Sequence, residues 1–294
     1  MGDEEKMNVI ELDSDGLPKI LPAYDDAIFK AMLTHADALP ARVDILTAFL
    51  NRNVKSATVK NVELPSKDTQ VKQEKFDVNC AIDDGSQIAV EMQANSMAGD
   101  NAANRHVNIR NRSVYGLCDL HSSQPGRGIA YASFVRSYQI TICGYSIFEG
   151  THDLVETFTL RNRRGKELTD AITAMFMDLS MSPSIIKKSV ADMIAAEMWA
   201  VFLAGANKPA YQKIIQDITS KREGIAVANE ILEAISQNAE ERARYHSRKM
   251  WAQDREHDLA IARNEGHKEG VQELAELIQK GYSVNEALDI ISKK

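Results

Sequence analysis

The period of the apolar positions changes along the chain. Between Tyr24 and Leu33, Ile28, Phe29 and Met32 share one helical face. From Pro40 to Leu50, Val43, Leu46, Ala48 and Leu50 repeat that spacing, and Asn51-Arg52-Asn53 ends the second helix. Strand patterns follow. Val59 to Leu64 is a first candidate. Phe76, Val78, Cys80 and Ile82 then alternate with Asp77, Asn79 and Ala81. After Asp83-Asp84-Gly85, Ile88, Val90 and Met92 alternate with Gln87, Ala89, Glu91 and Gln93. Two period-2 runs around a Gly-ended turn predict a β-hairpin. Asn101 to Leu120 reads as a helix, and the β-formers between Ala130 and Phe148 predict a strand over Gln139 to Cys143. Beyond a basic loop, Arg161 to Lys166, the pattern from Leu168 to the end is almost wholly helical. It comprises a small bundle over 185–203, 210–220 and 225–236, then a charged helix over 240–269 with Gly266 and Gly270 as interruptions. Gly281 and the capping box Ser283-x-x-Glu286 open a last helix.

The hairpin also carries the candidate chemistry. A three-residue loop sets Ile82 against Ser86, so that Asp77 falls opposite Glu91 with Cβ atoms about 4.5–5.5 Å apart. Lys75 falls opposite Gln93, and all four project from the face away from Phe76, Val78, Cys80, Ile82, Ile88, Val90 and Met92. Two facing carboxylates repel, and a hard divalent cation with oxygen ligands removes that repulsion. A cation held by Asp77 and Glu91, with a backbone carbonyl near Met92, can polarise a phosphodiester and activate a water. Gln93 or Lys75 can orient the nucleophile. The pattern D-(x13)-E-x-Q equally fits a solvated hairpin face carrying acids and amides.

Composition limits the partners. The 294 residues are 44% apolar and 26% charged, enough to bury a core, and carry a formal net charge of -7. Binding to DNA must therefore rest on a local basic face. Cys80, Cys118 and Cys143 show no metal-ligand spacing and predict reduced thiols in a cytoplasmic protein. The acidic N-terminus is no signal peptide, and no apolar run approaches the roughly 18 residues a membrane helix needs. These features predict a soluble protein with no membrane partner.

The hairpin, F-D-V-N-C-A-I-D-D-G-S-Q-I-A-V-E-M-Q, resembles the signature of the Rpn family of recombination-promoting nucleases and transposases, within the PD-(D/E)XK superfamily. That family commonly has Gln in place of the lysine of E-x-K, as Gln93 stands here. Asp26-Ala27-Ile28-Phe29-Lys30 resembles its D-x-x-F-K segment. Ile45 to Asn51 resembles its L-x-x-F-L-N segment, and Arg112-Ser113-Val114-Tyr115 its R-x-x-Y helix. Gly126 to Phe148 and the Asn264 to Gly270 tail are similar to later segments of the family.

The resemblance implies an α/β protein. Its restriction-endonuclease-like core is a mixed sheet of about four strands flanked by helices, followed by a helical C-terminal region. Together with the polar start and the helical pattern of the later chain, this divides the sequence into a polar leader (1–21), a nuclease-like domain (22–165), a helical subdomain (166–239) and a helical tail (240–294). The resemblance implies a metal-dependent DNA endonuclease of recombination, transposition or mobile-element defence, using Mg²⁺ with Mn²⁺ as a substitute. Asp77 and Glu91 are the implied metal ligands. Gln93 takes the lysine's place, and Asp26 is an accessory acid from the first helix. The amide of Gln93 cannot carry positive charge or accept a proton, which shifts the cationic role toward Lys75 or Lys30.

Lys30 also reads as the i, i+4 partner of Asp26, and Asp26 as an early-turn acid favoured by the helix dipole. Arg105, His106, Arg110 and Arg112 read as phosphate contacts or as a solvated helix face, and Tyr115 as a site residue or a packing one. Trp199 and Trp251 read as packing residues. The helical C-terminal region is a candidate surface for homo-oligomer formation. A second reading is a nuclease fold that binds DNA or protein without cutting. A third, hydrolysis of another phosphate ester, lacks a nucleotide-cradling glycine loop.

Overall fold

The structure, a computed structural model, describes residues 9–14, 16–60, 78–94, 102–124, 130–150 and 153–292, with the backbone alone at 102–105. Among the described residues, those up to Arg242 form one compact unit and those from Ala243 a second. The first unit opens with helices α1 (Asp26–Thr34) and α2 (Leu39–Leu50). Asp25 caps α1 by accepting from the Ile28 amide at 3.2 Å, which satisfies one of the orphan N–H groups of the first turn. Pro40 lies at the start of α2, where its missing N–H costs nothing. Buried Arg42 on α2 donates to the carbonyls of Leu33, His35 and Ala57, so one side chain ties α1 and α2 to the first strand.

Among the described residues, six strands form one mixed sheet: β1 (Ala57–Val59), β2 (Val78–Ile82), β3 (Gln87–Gln93), β4 (Ser137–Cys143), β5 (Val155–Arg161) and β6 (Glu167–Asp178), in the order β1-β2-β3-β4-β6-β5. β1, β2 and β3 are antiparallel neighbours, β3, β4 and β6 run parallel, and β5 closes the edge antiparallel to β6. α3 (Ala102–Ser122) lies across β3, β4 and β6. Its Ile109 and Leu117 join Cys143, Ile147, Ala174 and Phe176 in a buried cluster, while Leu120 meets Ala89.

The β2–β3 hairpin has the register that alternation predicts: Val78 pairs Val90, Asn79 pairs Ala89 and Cys80 pairs Ile88. Its turn is held on three sides. Ile82 N donates to Ser86 O at 3.1 Å, Gly85 adopts φ 82°, and Lys55 N donates to Asp83 Oδ1 at 2.8 Å. Asp84 accepts from Arg52 Nη1 at 2.6 Å and from Ser86 N at 2.9 Å. Burial pushes its carboxyl up, but these hydrogen bonds and the Arg52 charge outweigh it and hold the pKa at about 2. A depressed carboxyl contributes stability that is fully present above its unfolded value near 3.8 and is lost as pH falls through about 2. With partial exposure discounted, the contribution is roughly 1–2 kcal/mol. Asp84→Asn is therefore expected to lower the urea-unfolding free energy by that amount at pH 7 and by almost nothing at pH 2. An equal loss at both values would show that the charge is irrelevant.

Three sequence expectations about the secondary structure are corrected. The first is the count of about four strands, which is six among the described residues. The second is the helical start at Leu168: residues 167–178 form β6, the longest strand, and the basic loop is the turn of the β5–β6 hairpin. There Gly165 has φ 79° and Asn162 Oδ1 accepts from the Arg164 and Lys166 amides. The cause is burial on both faces: Ala174 to Asp178 are all buried, which erases alternation. The third concerns Gly266 and Gly270, which do not interrupt their helix.

Helices α4 (Ala195–Gly205), α5 (Gln212–Thr219) and α6 (Glu223–Gln237) complete the first unit, with α2 packed against α4 and α6. Trp199 is fully buried, as a packing role requires, and donates its indole N–H to Asp44 Oδ2 at 2.8 Å.

α7 (Ala239–Gln279) runs unbroken through both tail glycines. Most of α7 is exposed, and a glycine there costs only about 1 kcal/mol against alanine. Gly281 at φ 95° ends it. Ser283 then caps α8 (Val284–Ser292): Glu286 Oε2 accepts from Ser283 N at 2.8 Å, as the capping box predicts. Trp251 on α7 is 63% exposed, with the Arg255 guanidinium 5.3 Å from its ring centroid, so it is not buried packing. No helix among the described residues is long and apolar enough to cross a membrane.

Candidate active site

Strand register places two rows of side chains under α3. Glu91 pairs Thr141, which pairs Phe176; one step on, Gln93 pairs Cys143, which pairs Asp178. Same-face residues recur every second position, so these six share a face with Ala89, Gln139 and Asn79. The face is partly polar inside. Thr141 Oγ1 donates to Ser113 Oγ on α3 at 3.3 Å. The amide of Gln139 is fully buried, and neither of its polar atoms has a hydrogen-bond partner.

Glu91 is 4% exposed, an unusual place for a carboxylate because burial disfavours the charged form. Arg112 of α3 offsets this: its Nη2 stands 3.7 Å from Glu91 Oε1, an ion pair longer than a hydrogen bond. Arg112 itself is 40% exposed, so its guanidinium bridges the buried acid and solvent. Asp178, 6% exposed at the end of β6, accepts from Ser180 N at 2.8 Å and from Ser180 Oγ at 2.5 Å. Both carboxylates act on Cys143. Burial first, then the charges of Asp178 and Glu91, push its thiol up to about 12, so Cys143 is no nucleophile at neutral pH. Asp178 gave no signal in the sequence, because only the parallel pairing of β6 with β4 brings it to this row.

The other predicted residues divide into three groups. Asp77 and Lys75 lie outside the described residues, as does the side chain of Arg105. Asp26 begins α1, is exposed, and accepts from the Ala27 amide at 2.7 Å. Tyr24, two residues earlier, lines a pocket with Ala94 and Gly144, so the start of α1 lies near the carboxyl ends of β3 and β4. Lys30 is half-buried on α1, and Gln93 is half-buried at the end of β3, its carbonyl accepting from Gly144 N at 3.0 Å. Arg110 turns back to the His106 carbonyl, Tyr115 is 48% exposed, and His106 stacks with Tyr145 just after β4. Among the described residues, no three carboxylate, imidazole or thiol groups converge on a point that could hold a metal.

A family model described as PD-(D/E)XK nuclease family transposase matches residues 23–262. The chain belongs to that family. The resemblance read from the hairpin and its flanking segments is borne out, as is the α/β class with a mixed sheet, flanking helices and a helical C-terminal region. No curated protein and no solved structure matches this chain. Membership of the PD-(D/E)XK family supports a nuclease-type function with DNA as the substrate class, and nucleases of this kind generally use divalent metal ions.

The residues present suit such an ion in kind. Glu91 offers a buried carboxylate on the hairpin, and hard divalent cations prefer oxygen ligands.

Proposed function

We propose that the protein is an endodeoxyribonuclease that hydrolyses phosphodiester bonds with a water nucleophile, using Mg²⁺ or, in its place, Mn²⁺. The observation that carries this reading is the family match over residues 23–262, on whose predicted hairpin Glu91 is a buried carboxylate. Asp77 is the proposed second ligand. The described pairs Val78–Val90 and Asn79–Ala89 follow the alternation from which the sequence places Asp77 opposite Glu91, which supports the choice. The ion, when bound, supplies Lewis-acid polarisation of the scissile phosphate and a more acidic water.

The chain's own groups do the rest. Gln93 orients the attacking water by accepting its hydrogen bond, since a neutral amide cannot take its proton. Arg112 holds the Glu91 carboxylate in place and meets the phosphate charge at its exposed end. Asp26, from the start of α1, is the accessory acid, while Lys30, Lys75, Arg105 and Tyr115 contact the DNA beside the site. The role is in recombination, transposition or mobile-element defence. The free thiols of Cys80, Cys118 and Cys143 support a cytoplasmic setting, and exposed Trp251, Val271 and Leu288 support self-association through the C-terminal helices.

The test is relaxation of supercoiled plasmid by the whole protein with Mg²⁺ or Mn²⁺ against EDTA. Nicking that appears only with the ion is expected. One residue favours a second reading: Gln93, which stands where the superfamily keeps a lysine. A protein that shifts DNA in a gel but never cuts it with either ion is the binding module instead.

A further inference from the structure

The β5–β6 hairpin outruns the sheet. β4 begins at Ser137, which pairs Ile172, and beyond that level β5 and β6 continue as a two-stranded ribbon. Their register shifts twice, between Thr159 and Leu160 and between Leu160 and Arg161. Extra residues of this kind bend a strand pair and increase its twist, which sets the end of the hairpin off from the sheet. No residue from Leu160 to Thr169 is buried, and Leu168 is 80% exposed. A ribbon without a buried residue adds nothing to the core, and a free two-stranded hairpin is only marginally stable.

The ribbon is nevertheless built to hold its shape. Asn162 N donates to Lys166 O and Gly165 N to Asn162 O, each at 2.9 Å, and Arg161 Nη1 donates to Gly165 O at 3.0 Å. Arg161 Nη2 also donates to Glu167 Oε2 at 2.6 Å. At the base of the ribbon, Arg136, directly before β4, donates to Asp170 Oδ2 at 2.6 Å. The acids nearest the tip are thus committed, and so is Arg161. Arg163, Arg164 and Lys166 are exposed, and their side chains make no hydrogen bond or ion pair with any described residue. Three cations on one fixed turn, on a chain of net charge -7, are the local basic face that DNA binding requires.

We propose that the β5–β6 ribbon is a DNA-binding arm, whose Arg163, Arg164 and Lys166 contact backbone phosphates of duplex DNA. The proposal rests on the reading of the protein as a DNA-directed nuclease. The dimensions fit. The major groove, about 12 Å wide, admits a two-stranded β-ribbon. Glu156 pairs Phe176, in the Glu91 row, and Arg163 lies seven residues further along the chain, which is about 20 Å at about 3.3 Å per residue. The arm therefore meets the duplex about six base-pair steps from the hairpin site, at about 3.4 Å per step.

Charges at a sheet edge also keep it from pairing with other chains, and salt-dependent DNA binding separates that role from an arm. A fluorescein-labelled duplex of about 30 base pairs, long enough for site and arm together, is titrated with whole protein over a KCl series in CaCl₂ and followed by anisotropy. The triple variant Arg163→Gln, Arg164→Gln, Lys166→Gln is expected to reduce the slope of log K against log[KCl] by about two to three. Its binding at about 0.1 M KCl is expected to weaken about fiftyfold or more. Arg163→Lys with Arg164→Lys keeps the charges and is expected to keep the slope. A triple variant whose slope falls by less than about one overturns the arm. So does a lysine variant that loses as much slope as the glutamine one. A parent that binds no duplex overturns it as well, including one that sediments instead with phosphatidylserine vesicles. If the triple variant fails to fold, Lys166→Gln alone decides: a loss of about one unit of slope supports the arm, and parental slope overturns it. A parent that never cuts plasmid, but whose triple variant loses the slope, keeps the arm and removes the nuclease reading. A parent that cuts, with the slope unchanged in the triple variant, does the reverse.

Discussion

Replacing Glu91 by Gln is expected to reduce metal-dependent plasmid nicking by about a thousandfold or more while leaving the protein folded. The argument starts from charge. Glu91 is 4% exposed, and Gln keeps its shape but removes the anion that would hold a divalent ion. Loss of Lewis-acid stabilisation costs several kcal/mol in the transition state, and each 1.36 kcal/mol is about tenfold in rate. Folding responds differently. Arg112, at 3.7 Å and 40% exposed, is one partner of the carboxylate. The isosteric amide carries no charge to desolvate, so the melting temperature should stay within a few degrees of the parent's. Two measurements check this: the nicking rate at saturating Mn²⁺, and the rise in melting temperature on adding Mn²⁺, which should vanish in the variant. Nicking within threefold of the parent would remove Glu91 from the site.

The largest stability loss is expected at Asp44, on α2. Its Oδ2 accepts from Trp199 Nε1 and from Arg222 Nε, each at 2.8 Å, so one carboxylate on α2 joins α4 to the start of α6. Trp199 is fully buried, and Gly224 admits the helix so closely that a Cβ there would meet Asp44 Cβ at 2.2 Å. Asp44→Ala strands a buried indole N–H and a guanidinium that is only 24% exposed. Unsatisfied buried donors cost about 1–3 kcal/mol each and charged ones more, so the loss should be about 3–4 kcal/mol. For a unit of this size, that lowers the melting temperature by roughly 8–12 °C. Asp44→Asn keeps an acceptor for the indole and should lose about half as much. In a Trp199→Phe background the Asp44→Ala cost should fall by 1 kcal/mol or more. Additive losses in that cycle would mean that the hydrogen bond carries no coupling.

Local patterns were legible in the sequence because their causes are local. The hairpin of β2 and β3 was readable with its register, since one buried face forces period-2 alternation and Asp83-Asp84-Gly85 has the chemistry of a tight turn. The two opening helices, the helix over 102–122 and the capping box at Ser283 were readable for the same reason. The family segments around the hairpin led to the PD-(D/E)XK assignment and to Glu91 as a candidate.

Other features exist only once distant segments meet. The apolar run ending in Met175-Phe176-Met177 reads as a helix by itself; it is a strand because β4 on one side and β5 on the other satisfy its backbone. That pairing brings Asp178 to the row of Gln93 and sets its charge beside Cys143. Asp44 and Trp199 are 155 residues apart, and the pocket of Tyr24, Gly144 and Lys208 draws on three separate parts of the chain. The chain's own pattern determined which residues face inward on each element. Only the tertiary structure decided which inward faces meet, because a contact between distant segments leaves no period in either.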